Sequence, residues 1–283
     1  MNNTKAPASP LLKVASAADR FKLEIILVVV FIVATFLSPS FLTSGNLLNV
    51  LRTASLKGVI AFGMTFVIIC GEIDLSIGST VGLSGIVAAL ILKATLAAGV
   101  NGVLAGIIAI GGTLIACSLI GLISGLLMTY FNMPSFIVTL GMVNVLYGVA
   151  ALLAPYPVTG LPEWYKWFGS GTLFGFLPVP AMFLALFFVV TLIVLRKTKF
   201  GRSVYAVGGN AESARLSGIN VRRVRIIVMM IVQFCAAFAG MWDRRYNNGR
   251  YRKCEKIRYE TKWRNANEGT VFRYRRCSER GKL

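Results

Sequence analysis

The chain has 283 residues, of which 56% are hydrophobic and 14% charged, with a mean hydropathy of +0.71; soluble domains carry about a quarter of their residues charged, so a soluble fold is excluded. A net charge of +19 would suggest nucleic acid if spread over a soluble surface, but it is segregated: residues 241–283 hold 14 of the 30 basic and 5 of the 11 acidic residues. With no histidine, and five cysteines without paired spacing, there is no ligand set for zinc or haem, no metal site or cofactor is expected, and an intramembrane enzyme lacks an acid and base pair.

The apolar runs predict an all-α integral membrane protein, a polytopic helical bundle. After a basic N-terminus at 1–22, the first span covers 23–37 and ends at Ser38-Pro39-Ser40, where proline removes a backbone donor. Further spans are predicted at 49–70, 79–92, 102–128 and 136–154. Residues 155–178 read as a loop in which Trp164, Tyr165, Trp167 and Phe168 serve as interfacial anchors. A sixth span follows at 179–195, then a basic stretch at 196–225, and a seventh begins at 226–240. At 15 residues the seventh would measure about 22 Å, short of the roughly 30 Å hydrocarbon core, so the residues after it are expected to stay on the cytoplasmic side. Lys5, Lys13, Arg20 and Lys22 place the N-terminus in the cytoplasm, and six crossings later the 196–225 segment returns there, in line with the bias of basic residues toward that side. The glycine clusters at 111–112 and 121–125 suit close helix packing in a membrane.

Two segments interrupt this regularity. GEIDLSIGS at 71–79 sets Glu72 and Asp74 between two apolar spans, where an ionisable group costs roughly 2.5 to 3.5 kcal/mol and normally faces a cavity, a partner or a translocation path. The alternative is a turn in which Asp74 caps the next helix. In the second segment Asn210 is an N-cap, 211–217 gives about two helical turns and Gly218 is a stop, which together write a short isolated helix. That helix is either a docking element for another protein, with Arg215 and Leu216 as contacts, or an ordinary surface connector.

The stretches GEIDLSIGSTVGLSGIVAA (71–89), NMPSFIVTLGMVNVLYGVA (132–150) and TKFGRSVYAVGGNAESARLSGIN (198–220) resemble, in order, signature regions of the ribose, xylose and galactose type permease family of bacterial ABC importers. The resemblance runs over about residues 25–240. It implies a fold of about ten helices, of which six to seven are present here. It also implies three protein partners: a cytoplasmic ATP-binding cassette ATPase, a soluble sugar-binding protein, and a second permease copy or homologue. The setting is the bacterial inner membrane with its lipid, no nucleic acid is involved, and the chain itself is not an enzyme. Asn210, Ala211, Glu212, Ala214, Arg215, Ser217 and Gly218 then become the ATPase-coupling helix. Glu72, Asp74 and Ser76 line the substrate path, with Asn144 and Tyr147 as further lining residues; Glu72 stands where the family commonly has glycine. The chain has no phosphate-binding loop of its own, so ATP hydrolysis belongs to the partner. Competing readings are a branched-chain amino acid permease of the same superfamily and an ion-coupled secondary transporter, although the latter needs a second acidic pair in a span.

Past residue 240 the sequence loses its apolar periodicity at once and becomes a basic tail, as out-of-frame translation produces. The alternative is a basic tail bound to anionic lipid or RNA. The frameshift predicts that the neighbouring reading frame downstream of codon 240 encodes glycine-rich apolar sequence. Sequencing the gene and finding none would reject it.

Overall fold

The computed structural model describes residues 22–154, 158 and 160–243. The N-terminal segment 1–22, except its last residue, and the tail 241–283, except its first three, therefore lie outside the described residues. Contacts divide the chain into two units, 1–53 and 54–283.

In the first unit, α1 (Lys22–Leu37) is 16 residues of nearly unbroken aliphatic sequence. It stops before Pro39, and the Phe31 ring meets Phe41 edge-on across the turn, centroids 4.9 Å apart. The unit ends inside α2 (Ser44–Ile69), which continues into the second.

In the second unit follow α3 (Ile77–Ala97), α4 (Gly102–Tyr130), α5 (Ser135–Leu153), the short α6 (Glu163–Ser170), a hairpin of β1 (Thr172–Leu173) and β2 (Leu177–Pro178), α7 (Val179–Lys197), α8 (Lys199–Gly209), α9 (Ala211–Leu216) and α10 (Val221–Trp242). Among the described residues six helices, α2, α3, α4, α5, α7 and α10, are long and apolar enough to cross a membrane. α1, at about 24 Å, is shorter than the hydrocarbon core.

Helix ends differ from the sequence reading where backbone and side-chain polar groups decide them. α2 starts at Ser44 rather than 49, and α3 starts at Ile77 rather than 79, because an Asp74 turn precedes it. The loop 155–178 holds α6 and the hairpin, and Tyr165 is fully buried rather than an interfacial anchor, its hydroxyl donating to the Met241 carbonyl at 3.4 Å. The largest correction concerns the last helix. α10 recruits Val221 to Arg225 from the basic stretch, with Asn220 capping it through a bond from the Arg223 amide, and so reaches 22 residues or about 33 Å. It is long and apolar enough to cross, so the premise that this helix is too short fails.

α10 is the centre of the second unit. Of its apolar window 61% is buried, against 17–39% for the other spanning helices. α4 runs antiparallel to it at very close approach: a Cβ on Gly121 would sit 2.6 Å from the Met229 carbonyl oxygen, and one on Gly125 2.9 Å from Ile226 Cα. Small residues spaced by four bring the backbones together, which is the main source of helix affinity where lipid is as apolar as the side chains. α3 runs parallel to α10, with Thr80 at the level of Gln233 and Ser84 beside Gly240.

The packing predicts that Gly121→Ala lowers the thermal stability of the purified protein by about 1–3 kcal/mol, since its methyl meets backbone that cannot yield locally. Gly111→Ala, with open space around it, leaves stability equal or slightly higher through helix propensity. Equal melting temperatures for the two variants would contradict this crossing.

Candidate functional site

The site is built around the interruption between α2 and α3. α2 closes with Gly71 at φ +78°, where the amide of Gly71 bonds to the Ile68 carbonyl and that of Glu72 to the Val67 carbonyl at 3.0 Å. This is a glycine-terminated stop that satisfies the helix's last carbonyls. The chain then runs through residues 72–76 without helix, so its backbone groups need other partners inside an apolar bundle. Side chains of α5 provide some of them: the Ile73 amide donates to Ser135 Oγ at 3.2 Å, and Thr139 Oγ1 lies 3.4 Å from the Ile73 carbonyl.

Asp74 is 3% exposed, and both its carboxylate oxygens accept hydrogen bonds. Its Oδ1 accepts from the Ser76 amide at 2.8 Å and from Ser76 Oγ at 2.6 Å; its Oδ2 accepts from Gln233 Nε2 at 2.7 Å. Gln233 Nε2 also reaches Ser76 Oγ at 2.7 Å, and Gln233 Oε1 accepts from the Thr80 hydroxyl. Ser76, Thr80 and Gln233 are all completely buried. The N-cap of α3 is Ser76, so Asp74 is not the cap itself but the acceptor of a two-residue side-chain turn ahead of it. Three donated bonds converge on the carboxylate, and the Thr80 hydroxyl joins the network through the other end of the Gln233 amide.

Glu72 lies nearer the basic end of the bundle. Its Oε1 is 2.9 Å from Arg225 Nε at the start of α10, with the Glu72 side chain 10% and the Arg225 side chain 35% exposed. The Nε–H has no acceptor along its axis, so this is a charge contact rather than an aligned hydrogen bond.

The expected path residues thus separate. Glu72, Asp74 and Ser76 share one internal network against α10, whereas Asn144 and Tyr147 stand on the exposed side of α5, Tyr147 at 72% exposure. Asn144 only returns a bond to the Leu140 carbonyl. Gln233, Thr80, Ser135, Thr139 and Arg225 belong to the site and were missed from the sequence. Gln233 left a readable signal, being the one strongly polar side chain in 226–240.

The short helix forms as the sequence wrote it. Asn210 Oδ1 accepts from the Ser213 amide at 2.9 Å, Ser217 follows the last helical residue with its hydroxyl on the Ser213 carbonyl, and Gly218 takes φ +81° to close the helix. Ala214 is buried in one apolar cluster with Val204 and Val207 of α8, Val224 of α10 and Phe66 and Val67 of α2. Glu212, Arg215 and Leu216 face outward, Leu216 at 77% exposure. Arg215 donates to both oxygens of Glu212 at 2.6 and 3.1 Å, and this bonding holds the Glu212 carboxyl below its ordinary range. Ahead of α9, Gly208 of α8 lies against the Ile69 carbonyl at the end of α2, so the α8–α9 segment and the interruption adjoin.

A family model described as the permease component of the branched-chain amino acid transport system matches residues 46–242. The chain belongs to this permease family. Among similar curated proteins, the ribose import permease protein RbsC of Bacillus subtilis (strain 168) is 41% identical over 76% of this chain and 65% of its own length. RbsC of Escherichia coli (strain K12) is 37% identical over 76% of this chain and 66% of its own. The L-arabinose ABC transporter permease protein AraH of Azospirillum brasilense is 35% identical over 83% and 67%. The chain therefore spans about two thirds of the length of the curated relatives it matches. No solved structure matches.

Arg225→Gln leaves Glu72 buried without its cation. Stability should fall by about 1–2 kcal/mol, below the 3–5 of a fully buried pair because the arginine is partly solvated. Adding Glu72→Gln should restore most of that loss. A double variant less stable than Arg225→Gln, by thermal unfolding in detergent, would refute the pairing.

Proposed function

We propose that this permease is the membrane subunit of an ATP-binding cassette importer that moves a simple sugar of the pentose or hexose class into the cell. The observation that carries this is its 41% identity, over 76% of its length, to a protein named as a ribose import permease. Arabinose and galactose permeases are similar in turn. The description of the matching family keeps a branched-chain amino acid as the second reading.

In this reading the basic end of the bundle is cytoplasmic, and α9 presents Glu212, Arg215 and Leu216 to the ATPase. A charged contact beside an apolar one, on a helix seated by Ala214 and the partly buried Ala211, suits a surface that exchanges solvent for a partner. Asn210, Ala211, Ser217 and Gly218 fix its ends, and Ala214 its seat. Substrate arrives on a soluble sugar-binding protein. Asn144 and Tyr147, exposed on α5, line a path completed by a second permease copy, while Glu72, Asp74 and Ser76 set the interruption that borders it. The permease catalyses no reaction: hydrolysis lies in the partner, which shifts the permease by binding its two states unequally.

Arg215→Glu places a negative charge beside Glu212 and should reduce co-purification of the ATPase about tenfold or more. Retention at the wild-type level would count against docking at α9. In the assembled complex, the binding protein loaded with monosaccharide should stimulate ATP hydrolysis. Stimulation by leucine or isoleucine instead would replace the sugar reading with the second one.

A further inference from the structure

We infer that Gln233 is a positioning residue that latches the non-helical segment 72–76 onto α10, so that the interruption and the coupling helix belong to one mechanical unit. The inference deepens the permease reading above and rests on it for its link to transport. Its structural content stands on the geometry of this chain alone.

Three observations converge on it. Gln233 is completely buried, and its amide is used at both ends: Nε2 to Asp74 Oδ2 and to Ser76 Oγ, each at 2.7 Å, and Oε1 from Thr80. An amide can donate to a carboxylate with its nitrogen while accepting from a hydroxyl with its oxygen, so the residue closes the Asp74, Ser76 and Thr80 contacts into one network. Secondly, α10 grips the same segment at a second level, through Arg225 and Glu72, eight residues or about 12 Å closer to its start. Thirdly, only residues 217–220 separate α9 from α10, and they are themselves fixed: the Gly218 amide bonds to the Arg215 carbonyl, the Ile219 amide to the Ala214 carbonyl, and Asn220 caps α10. A push on α9 thus enters α10 within one turn and meets the interruption at two points.

Packing alone would not call for this arrangement. A buried carboxylate is costly in a membrane, and a well-packed apolar pair would hold two helices at least as firmly. What the polar network adds is an anchor for a stretch of backbone that has no helix of its own to hold it.

The test is hydrogen exchange, read by mass spectrometry, on the purified full chain over peptides covering 70–80, with α4 peptides as reference. Gln233→Leu removes the latch, and Gln233→Glu sets a second carboxylate against Asp74. Both should speed exchange at 73–77 about tenfold or more while α4 is unchanged. The double variant Asp74→Asn/Gln233→Glu reverses the donor and acceptor across the same contact and should return exchange to within about threefold of wild type. A residue that merely fills space would show no such rescue. Wild-type exchange in both single variants, or a double variant as fast as Gln233→Glu, would overturn the inference. Should Gln233→Leu not fold, Thr80→Val removes one arm of the network and should give an intermediate rate; an unchanged rate there would equally overturn it. Failure of the wild-type chain to co-purify with the ATPase would count against the permease reading and leave the exchange result standing.

Discussion

A carboxylate inside a membrane-spanning bundle has no water to solvate it, so the protein must supply donors at fixed positions. Asp74 imposes that constraint here, and much of the second unit answers it. Gln233 has to face inward from α10, Ser76 has to begin α3 at the carboxylate, and Thr80 has to lie one turn further along to occupy the glutamine's other end. The direction of α3 relative to α10 and the place where α3 starts both follow from these contacts. Ser135 and Thr139 extend the same logic to the backbone of residue 73.

Close packing makes so polar a centre tolerable. Gly121 and Gly125 let α4 lie against α10 at backbone contact, and Gly63 brings α2 within 2.9 Å of the Cys235 Cβ as measured from an added Cβ. With α10 enclosed in this way, its one glutamine meets protein on every side. The opposite end of α10 is closed by aromatic residues, where Trp242 lies 5.1 Å from both Tyr165 and Phe168. The basic end carries Arg225 and the α8–α9 segment, and so joins the enclosed network to an exposed surface bearing Arg215 and Leu216.

The sequence made the bundle readable because each spanning segment is a long apolar run, and it made α9 readable because Asn210 and Gly218 act within one turn of themselves. Local chemistry is visible locally. The start of α10 was not, since Arg222, Arg223 and Arg225 look like loop residues until Asn220 is seen to cap them and Glu72 to pair with one. The network around Asp74 joins residues 153 to 159 positions apart, and no local pattern carries that information. The isolated polar side chain of Gln233 was the one clue. Tyr165 misled because an aromatic residue near a span end suits both an interfacial belt and a buried plug, and only the neighbouring Met241 and Trp242 decide between them.

The central claim is that the interruption and α10 move as one body. Spin labels at Leu75 and Ile227, both on exposed positions, allow this to be measured by double electron–electron resonance in the complex with its ATPase, with and without nucleotide. The account predicts a single narrow distance distribution that is the same in both states. A distribution that broadens, or whose maximum shifts between them, would show the segment leaving α10 and would contradict it.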